Sequence, residues 1–283
     1  MSKIKVAELF YSLQGEGKYV GVPSVFLRTF GCNFMCSGFG MPKGSASKER
    51  DVIAMNVDAY KTYDSLPLVH TGCDSYASWD PRFKHLSPVL RTDSIVDSIL
   101  DLLPNKEWKN EHLIITGGEP LLGWQRSYED LLWNDTMRPL KSLTFETNGT
   151  QQLTDDFKKF LAKYSSKLNG KTEVVFSVSA KLSPSGEKWE EAILPKVVAE
   201  YAWYGEVYFK FVVDKETDLE EIDRAVAAYR EQGIAGEVYL MPVGGTDQTY
   251  FSNYKAVAEM AMKRGWRYSP RLQVDIWRNA WGT

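Results

Sequence analysis

Apolar positions along the chain follow two periods in turn. Short runs dense in branched and aromatic residues predict strands: SVFLRTF (24–30), HLIIT (112–116), SLTFET (142–147), EVVFSVS (173–179), EVYFKFVV (206–213), EVYLMP (237–242) and a final RLQVDIW (271–277). Between them the apolar spacing widens to the helical period. TDSIVDSILDLL (92–103) predicts an amphipathic helix, with Thr92 or Asp93 as its N-cap. SYEDLLWN (127–134), DDFKKFLAKYSSKL (155–168) and YFSNYKAVAEMAMKRG (250–265) read the same way, and DLEEIDRAVAAYREQG ends at Gly233. SPSGEKWEE (183–191) is a turn leading into a helix, and KWEEAILPKVVAEYAW (188–203) divides or kinks at Pro195.

This gives roughly six strand–helix units over residues 24–283, the signature of an α/β fold: a partial or complete (β/α)6 TIM-like barrel. Ligands of such folds sit at the C-terminal ends of the strands. Residues 1–283 read as a single domain. Residues 37–72, rich in Gly, Ser, Pro and Lys, read as an insertion or long surface loop.

Composition changes this picture little. The 283 residues are 25% charged and 43% hydrophobic, with a net charge of −3, so no global field draws the chain to nucleic acid or anionic lipid. No apolar run is long enough for a signal peptide or a membrane span, which predicts a cytoplasmic protein. The three cysteines are an odd count in a compartment that disfavours disulfides. The three histidines are scattered, each more simply a structural or surface residue, and the nine tryptophans belong in the core or at a subunit contact.

The chemistry-bearing residues follow the strands. GCNFMC follows the first, GGEP follows HLIIT, ETNGT extends SLTF, SAK follows VVFSV, and MPVGG follows EVYL. Cys32 and Cys36, four apart, can reach one metal centre from a loop. The remaining ligand candidate is Cys73, across 36 intervening residues whose ends can meet, because loop-closure entropy grows slowly with length. Zinc, with His70 as a fourth ligand, and an iron–sulfur cluster with one open iron both fit this spacing. In TGGEP the paired glycines expose backbone groups to a ligand's polar end, Glu119 adds a carboxylate and Pro120 fixes the exit.

At this point the chain resembles the radical S-adenosylmethionine superfamily. There, three cysteines hold a [4Fe–4S] cluster, whose fourth iron chelates S-adenosylmethionine, and a GGEP-type motif binds the cofactor's amino group. The stretch LFYSLQGEGKYVGVPSVFLRTFGCN (9–33) resembles more narrowly the 7-carboxy-7-deazaguanine synthase family, and the likeness runs on through CDS, TGGEPLL, ETNGT, SAK, YLMPVGG and LQVDIWRNAWGT. It implies a lyase that turns 6-carboxy-5,6,7,8-tetrahydropterin into 7-carboxy-7-deazaguanine with loss of ammonia, aided by Mg2+. By motif position it implies Cys32, Cys36 and Cys73 on the cluster and Ser75 on magnesium. S-adenosylmethionine falls to Gly118, Glu119, Ser179, Lys181, Met241 and Val243. Substrate falls to Leu13, Gln14, Gly15, Glu16, Arg28 and Thr116, with Thr283 closing over it through its carboxylate. A pterin edge needs donors and acceptors, which Glu16 and backbone groups offer, and a substrate carboxylate suits the Arg28 guanidinium. Outside the family, Glu16 would be a solvated turn residue, and Arg28, Ser179 and Lys181 ordinary strand or surface residues. A homodimer, an electron donor such as flavodoxin or ferredoxin, and no direct contact with membrane or nucleic acid are implied as well.

Three features depart from the family pattern. CDS stands for CDT, so the proposed magnesium ligand is the Ser75 hydroxyl, still a hard oxygen. The aromatic expected before the last cysteine is Gly72. SAK and MPV replace SPK and QPM, which leaves Ala180 and Met241 only backbone contacts. Two rivals stand beside this reading. Another enzyme of the superfamily, such as a glycyl-radical activase, would lack the SLQGEG signature. A non-catalytic zinc-binding interaction protein explains the cysteines but not GGEP, ETNGT and SAK at successive strand ends.

Overall fold

A computed structural model describes residues 2–42 and 45–283 of the chain. Its first strand, β1 (Lys3–Leu13), is one the hydrophobic pattern does not single out. The reason is a bulge: pairing with the next strand slips between Val6 and Glu8, so the inward–outward alternation breaks mid-strand. There follow β2 (Pro23–Thr29), α1 (Lys48–Met55), β3 (Val89–Arg91), α2 (Thr92–Leu102), β4 (His112–Gly117), α3 (Gln125–Leu132), β5 (Ser142–Thr147), α4 (Asp155–Tyr164) and β6 (Glu173–Val178), of which the hydrophobic pattern does not predict α1 and β3. The last third adds α5 (Trp189–Ala192), α6 (Pro195–Tyr204), β7 (Glu206–Val213), α7 (Asp218–Glu231), β8 (Val238–Pro242), α8 (Asp247–Arg264), β9 (Arg267–Tyr268) and α9 (Leu272–Trp277).

All the strands lie in one nine-stranded sheet of order β3-β1-β2-β4-β5-β6-β7-β8-β9. From β2 to β9 every neighbour pair is parallel, while β1 is antiparallel to β2 and β3. The end strands β3 and β9 do not pair, so the barrel is partial, not closed. Period-two alternation sorts each strand into two faces. Val25 and Leu27, Leu113 and Ile115, Leu143 and Phe145, Phe209 and Phe211 pack into the core beneath the helices. The intervening Arg28, Thr116, Glu146 and Lys210 point into the concave side. Among the described residues no helix is long and apolar enough to cross a membrane.

Four expectations need correction. RLQVDIW is not a strand but largely α9; its polar Gln273 and Asp275 leave only Val274 fully buried, and the final strand is the two-residue β9. Neither Thr92 nor Asp93 caps α2, because the helix already begins at Thr92 and Arg91 takes the cap position without a side-chain bond. Helix α4 stops at Tyr164, and Ser165 pairs with Thr172 in a bridge. Helix α8 begins at Asp247, three residues early, because Thr246 and Thr249 form a reciprocal capping box.

The segment 37–72 is more than a surface loop. It carries α1, N-capped by Ser47, and its Ile53, Ala54, Tyr63, Leu66 and Val69 form a second apolar cluster with Ala7, Tyr76, Ala77 and Phe83. Lys43 and Gly44 of that segment lie outside the described residues. Pro195 does divide its helical run, standing at the first turn of α6, where its missing N–H costs nothing.

Phe145 shows how the sheet is held. It is fully buried, with ring centroids 5.6 Å from Tyr128, 5.9 Å from Phe157 and 5.6 Å from Phe176. Phe145→Ala should lower the unfolding free energy by roughly 3–5 kcal/mol in urea titrations, through lost burial and an unfilled cavity.

Candidate active site

At the C-terminal ends of the parallel strands the concave face opens into a cavity of about 350 Å3. It is lined by Leu13, Gln14, Gly15, Glu16, Arg28, Thr116 and Thr283, by Gly118, Ser179, Lys181, Met241 and Val243, and by Cys32, Cys36, Cys73 and Ser75. Residues scattered from 13 to 283 thus meet in one space. Of the residues that the resemblance assigns to cluster, magnesium, cofactor or substrate, Glu119 alone is not in the lining.

Glu119 is fully buried, and its carboxylate is spent inside the protein. One oxygen accepts from Leu121 N–H at 3.0 Å and Thr147 Oγ1 at 2.8 Å, the other from Asn148 N–H at 2.7 Å. Its own N–H donates to Gly31 O at 2.8 Å. The side chain thus ties the loop after β4 to the end of β5, while its backbone N–H holds the loop after β2. The neighbouring Gly118 is left to present backbone to the cavity. A Cβ there would lie 2.5 Å from Gly31 O and 2.7 Å from Cys32 Cβ, so only glycine fits against the cysteine loop.

The long excursion from Cys36 to Cys73 closes through its ends. Gly72 N–H donates to Phe39 O at 3.0 Å, which brings the two stretches side by side. Gly38 and Phe39 donate in turn to Ser185 O and Pro184 O. Glu187 accepts from the N–H groups of Met35 and Cys36 at 3.1 and 2.8 Å, and Glu49 from those of His70 and Thr71 at 2.7 and 3.0 Å. Sequence reading missed both carboxylates, because nothing in their local pattern separates them from solvated ones. The missing aromatic at 72 has a cause too: Gly72 is in the left-handed region (φ 79°), and a Cβ would lie 2.9 Å from Ser47 Cβ. The cap of α1 occupies that space, while Phe39 and Trp79 line the cavity nearby.

The thiols share one small packing cluster with Phe34, Phe39 and Ala192. Burial pushes Cys32 up to about 12 and raises Cys36 and Cys73, so without a cation nearby these groups favour the neutral thiol. Among the described residues no group of three or more His, Cys, Asp or Glu side chains is placed to hold a metal ion. His70 is also committed elsewhere, with Nδ1 2.8 Å from Thr246 Oγ1.

The other wall is a charge network. Lys210 Nζ lies 2.5 Å from Glu16 Oε2 and 3.8 Å from Glu146 Oε1. Arg271 Nε and Gln273 Nε2 donate to Glu16 Oε1 at 3.0 and 2.8 Å, and Arg271 Nη2 reaches Asp74 Oδ2 at 2.6 Å. Burial alone would raise the Glu16 carboxyl; Lys210 and Arg271 hold it well below the usual carboxylate range. Three donors occupy three of its roughly four acceptor positions and leave one for a ligand. Arg28 donates Nε to Glu8 at 2.7 Å and Nη1 to Ser75 Oγ at 3.2 Å, which leaves three of its five N–H groups without a protein partner among the described residues. Glu146, Lys210, Arg271 and Asp74 were not singled out in the sequence. The strand period was the available signal for Glu146 and Lys210, polar residues within otherwise apolar strands.

Across 98% of its length the chain is 32% identical to a 7-carboxy-7-deazaguanine synthase of Halobacterium salinarum, covering 91% of that protein. The chain belongs to the 7-carboxy-7-deazaguanine synthase family. It is thus an enzyme, a radical S-adenosylmethionine lyase of 7-deazapurine biosynthesis. Relatives of the same name from Pyrobaculum aerophilum and Rhodopirellula baltica are 29% and 30% identical, over 99% and 100% of the chain and 97% and 90% of theirs. No protein-family model matches the chain. The crystal structure of QueE from Escherichia coli shares the fold, with a TM-score of 0.54 at 19% identity, covering 94% of this chain and 93% of that one.

Burial pushes the Glu119 carboxyl from 4.5 up to about 7, against the pull of its three donors. An acid held above its unfolded value stabilises most while protonated, below about pH 4.5, and that contribution is lost as pH rises through 7. The ligand-free protein should therefore lose up to roughly 3 kcal/mol across this window in urea titrations. Glu119→Gln should flatten that slope yet be less stable throughout, because an amide N–H would face the donors of Asn148 or Leu121.

Proposed function

We propose that the chain converts 6-carboxy-5,6,7,8-tetrahydropterin into 7-carboxy-7-deazaguanine in the cavity at its strand ends, working as one domain with residues 37–72 inserted in the cluster loop. The observation that carries this reading is convergence. The cysteine loop, Gly118, the SAK segment and the SLQGEG wall line a single space large enough for a cofactor end and a bicyclic substrate.

In this reading Cys32, Cys36 and Cys73 hold a [4Fe–4S] cluster. Bound together, the cluster and S-adenosylmethionine supply the one-electron chemistry that removes a hydrogen atom from the substrate. The backbone of Gly118 presents polar groups to the cofactor's amino-acid end. Ser179 and Lys181, whose Nζ donates to Ser179 Oγ at 3.2 Å, present a hydroxyl and a positive charge. Backbone at Met241 and Val243 flanks its nucleoside.

On the opposite wall, Arg28 offers its free N–H groups to the substrate carboxylate. Glu16 offers its one open acceptor position to a pterin N–H, beside Leu13, Gln14, Gly15 and Thr116. Thr283 lies at the same wall. Ser75 Oγ, 3.3 Å from Asp74 Oδ1, is a hard-oxygen ligand for Mg2+ between cofactor and substrate. An electron donor such as flavodoxin or ferredoxin and a homodimeric assembly complete the reading.

Turnover of the pterin by anaerobically reconstituted, reduced protein tests the activity; protein that stays colourless and takes up zinc alone would overturn it. Two variants test the assignments. Cys73→Ala should bind as little iron per chain as Cys32→Ala, and a full iron complement in Cys73→Ala removes it as a ligand. Ser75→Ala should weaken the response of turnover to magnesium while sparing cleavage of S-adenosylmethionine without substrate; an unchanged magnesium titration would assign the ion elsewhere.

A further inference from the structure

Segment 278–283 leaves α9 by an abrupt turn. Arg278 and Asn279 both have left-handed backbone, at φ 55° and 61°, an uncommon conformation for residues with side chains. Such strain persists where surrounding contacts fix it. Two side-chain contacts do so here. Asn279 Nδ2 donates to Gly245 O at 2.7 Å, beside the end of β8. Trp281 Nε1 donates to Leu66 O at 2.7 Å, inside the inserted segment. The indole stands edge-on to Tyr63, with centroids 5.0 Å apart, and to Tyr76 at 6.2 Å. Two residues further on, Thr283 lines the cavity.

The inserted segment is built to hold that indole. Tyr63 and Leu66 are buried in the apolar cluster of the insertion, and Trp281 packs against the same cluster. None of these three lines the cavity, although Tyr63 lies near enough to Arg28 and Glu8 to feel both charges. The insertion thus reaches the substrate wall from behind.

We propose that residues 63–66 of the insertion clasp Trp281, and that Trp281 is the positioning residue through which the insertion holds segment 278–283 over the substrate. The clasp rests on the reading that Thr283 faces bound substrate. It gives the insertion a task at the substrate end of the cavity, distinct from its closure around the cysteines.

The reconstituted enzyme tests the clasp. Trp281→Ala should raise KM for 6-carboxytetrahydropterin roughly tenfold while kcat changes less than about twofold. Iron per chain and cleavage of S-adenosylmethionine without substrate should match the parent. Trp281→Phe, which keeps an aromatic ring but loses the N–H donor, should fall between the two. Tyr63→Ala should reproduce the KM effect, and the double variant should not exceed the larger single effect, as expected of partners in one contact. In ligand-free protein, the amides of residues 279–283 should exchange with deuterium faster in Trp281→Ala.

Removal of residues 282–283 separates the two layers of the argument. If that truncation leaves KM unchanged, segment 278–283 does not meet substrate and the reading beneath the clasp fails. If truncation raises KM but neither Trp281 variant does, the clasp itself is wrong. Should Tyr63→Ala not fold, the half-buried Trp281 variants and the exchange measurement decide alone.

Discussion

A carboxylate without access to water organises the catalytic rim. Glu119 receives N–H or O–H donors from the ends of its own strand and of β5, while its backbone holds the loop after β2. Stripping a carboxylate of water is costly, and hydrogen bonds from fixed donors offset that cost only when the geometry is complete. Each donor is therefore held where the carboxylate needs it. Asn148, once fixed at its N–H, turns its side chain to Asn33 at 2.9 Å in the cysteine loop. The GCN, GGEP and ETNGT stretches are thus one hydrogen-bonded unit, and Gly118 comes to rest against Cys32 because Glu119 is anchored behind it.

That unit explains what the sequence shows and what it hides. The parallel strands were legible because their branched and aromatic residues form short, dense apolar runs, and the rim motifs because each follows such a strand. β1 was hidden by a bulge that breaks the period, and RLQVDIW read as a strand because a six-residue helix is too short to show its own period. Within the site, residues in contiguous motifs were legible. Lys210 and Arg271 were not, since their partnership with Glu16 spans 194 and 255 positions and exists only after folding. For Glu119 the motif marks the right loop, but a sequence does not say which protein donors its carboxylate meets.

In segment 37–72 a local departure from pattern has a structural cause elsewhere. The space a side chain at 72 would need is taken by Ser47, the N-cap of α1, so the helix and a ring at that position exclude each other. The segment also brings its own apolar cluster, and this lets a long excursion return to its starting point. A floppy loop of that length would close as often, on entropy alone, but would not hold Cys73 at a fixed distance from Cys36.

The same logic of prior commitment governs the substrate wall. Glu16, Lys210 and Arg271 are nearly buried ions that, with the half-buried Asp74, satisfy one another before any ligand arrives. Such a network adds little net stability, because the desolvation of each ion consumes most of what pairing returns. Its effect is on geometry. An acceptor held by three donors cannot swing, so the one position left on Glu16 and the N–H groups left on Arg28 point along fixed directions. Under the proposed function, a flat heterocycle with a donor edge and a carboxylate would meet groups already held in place, and preorganisation of this kind gives selectivity through orientation where total charge would not.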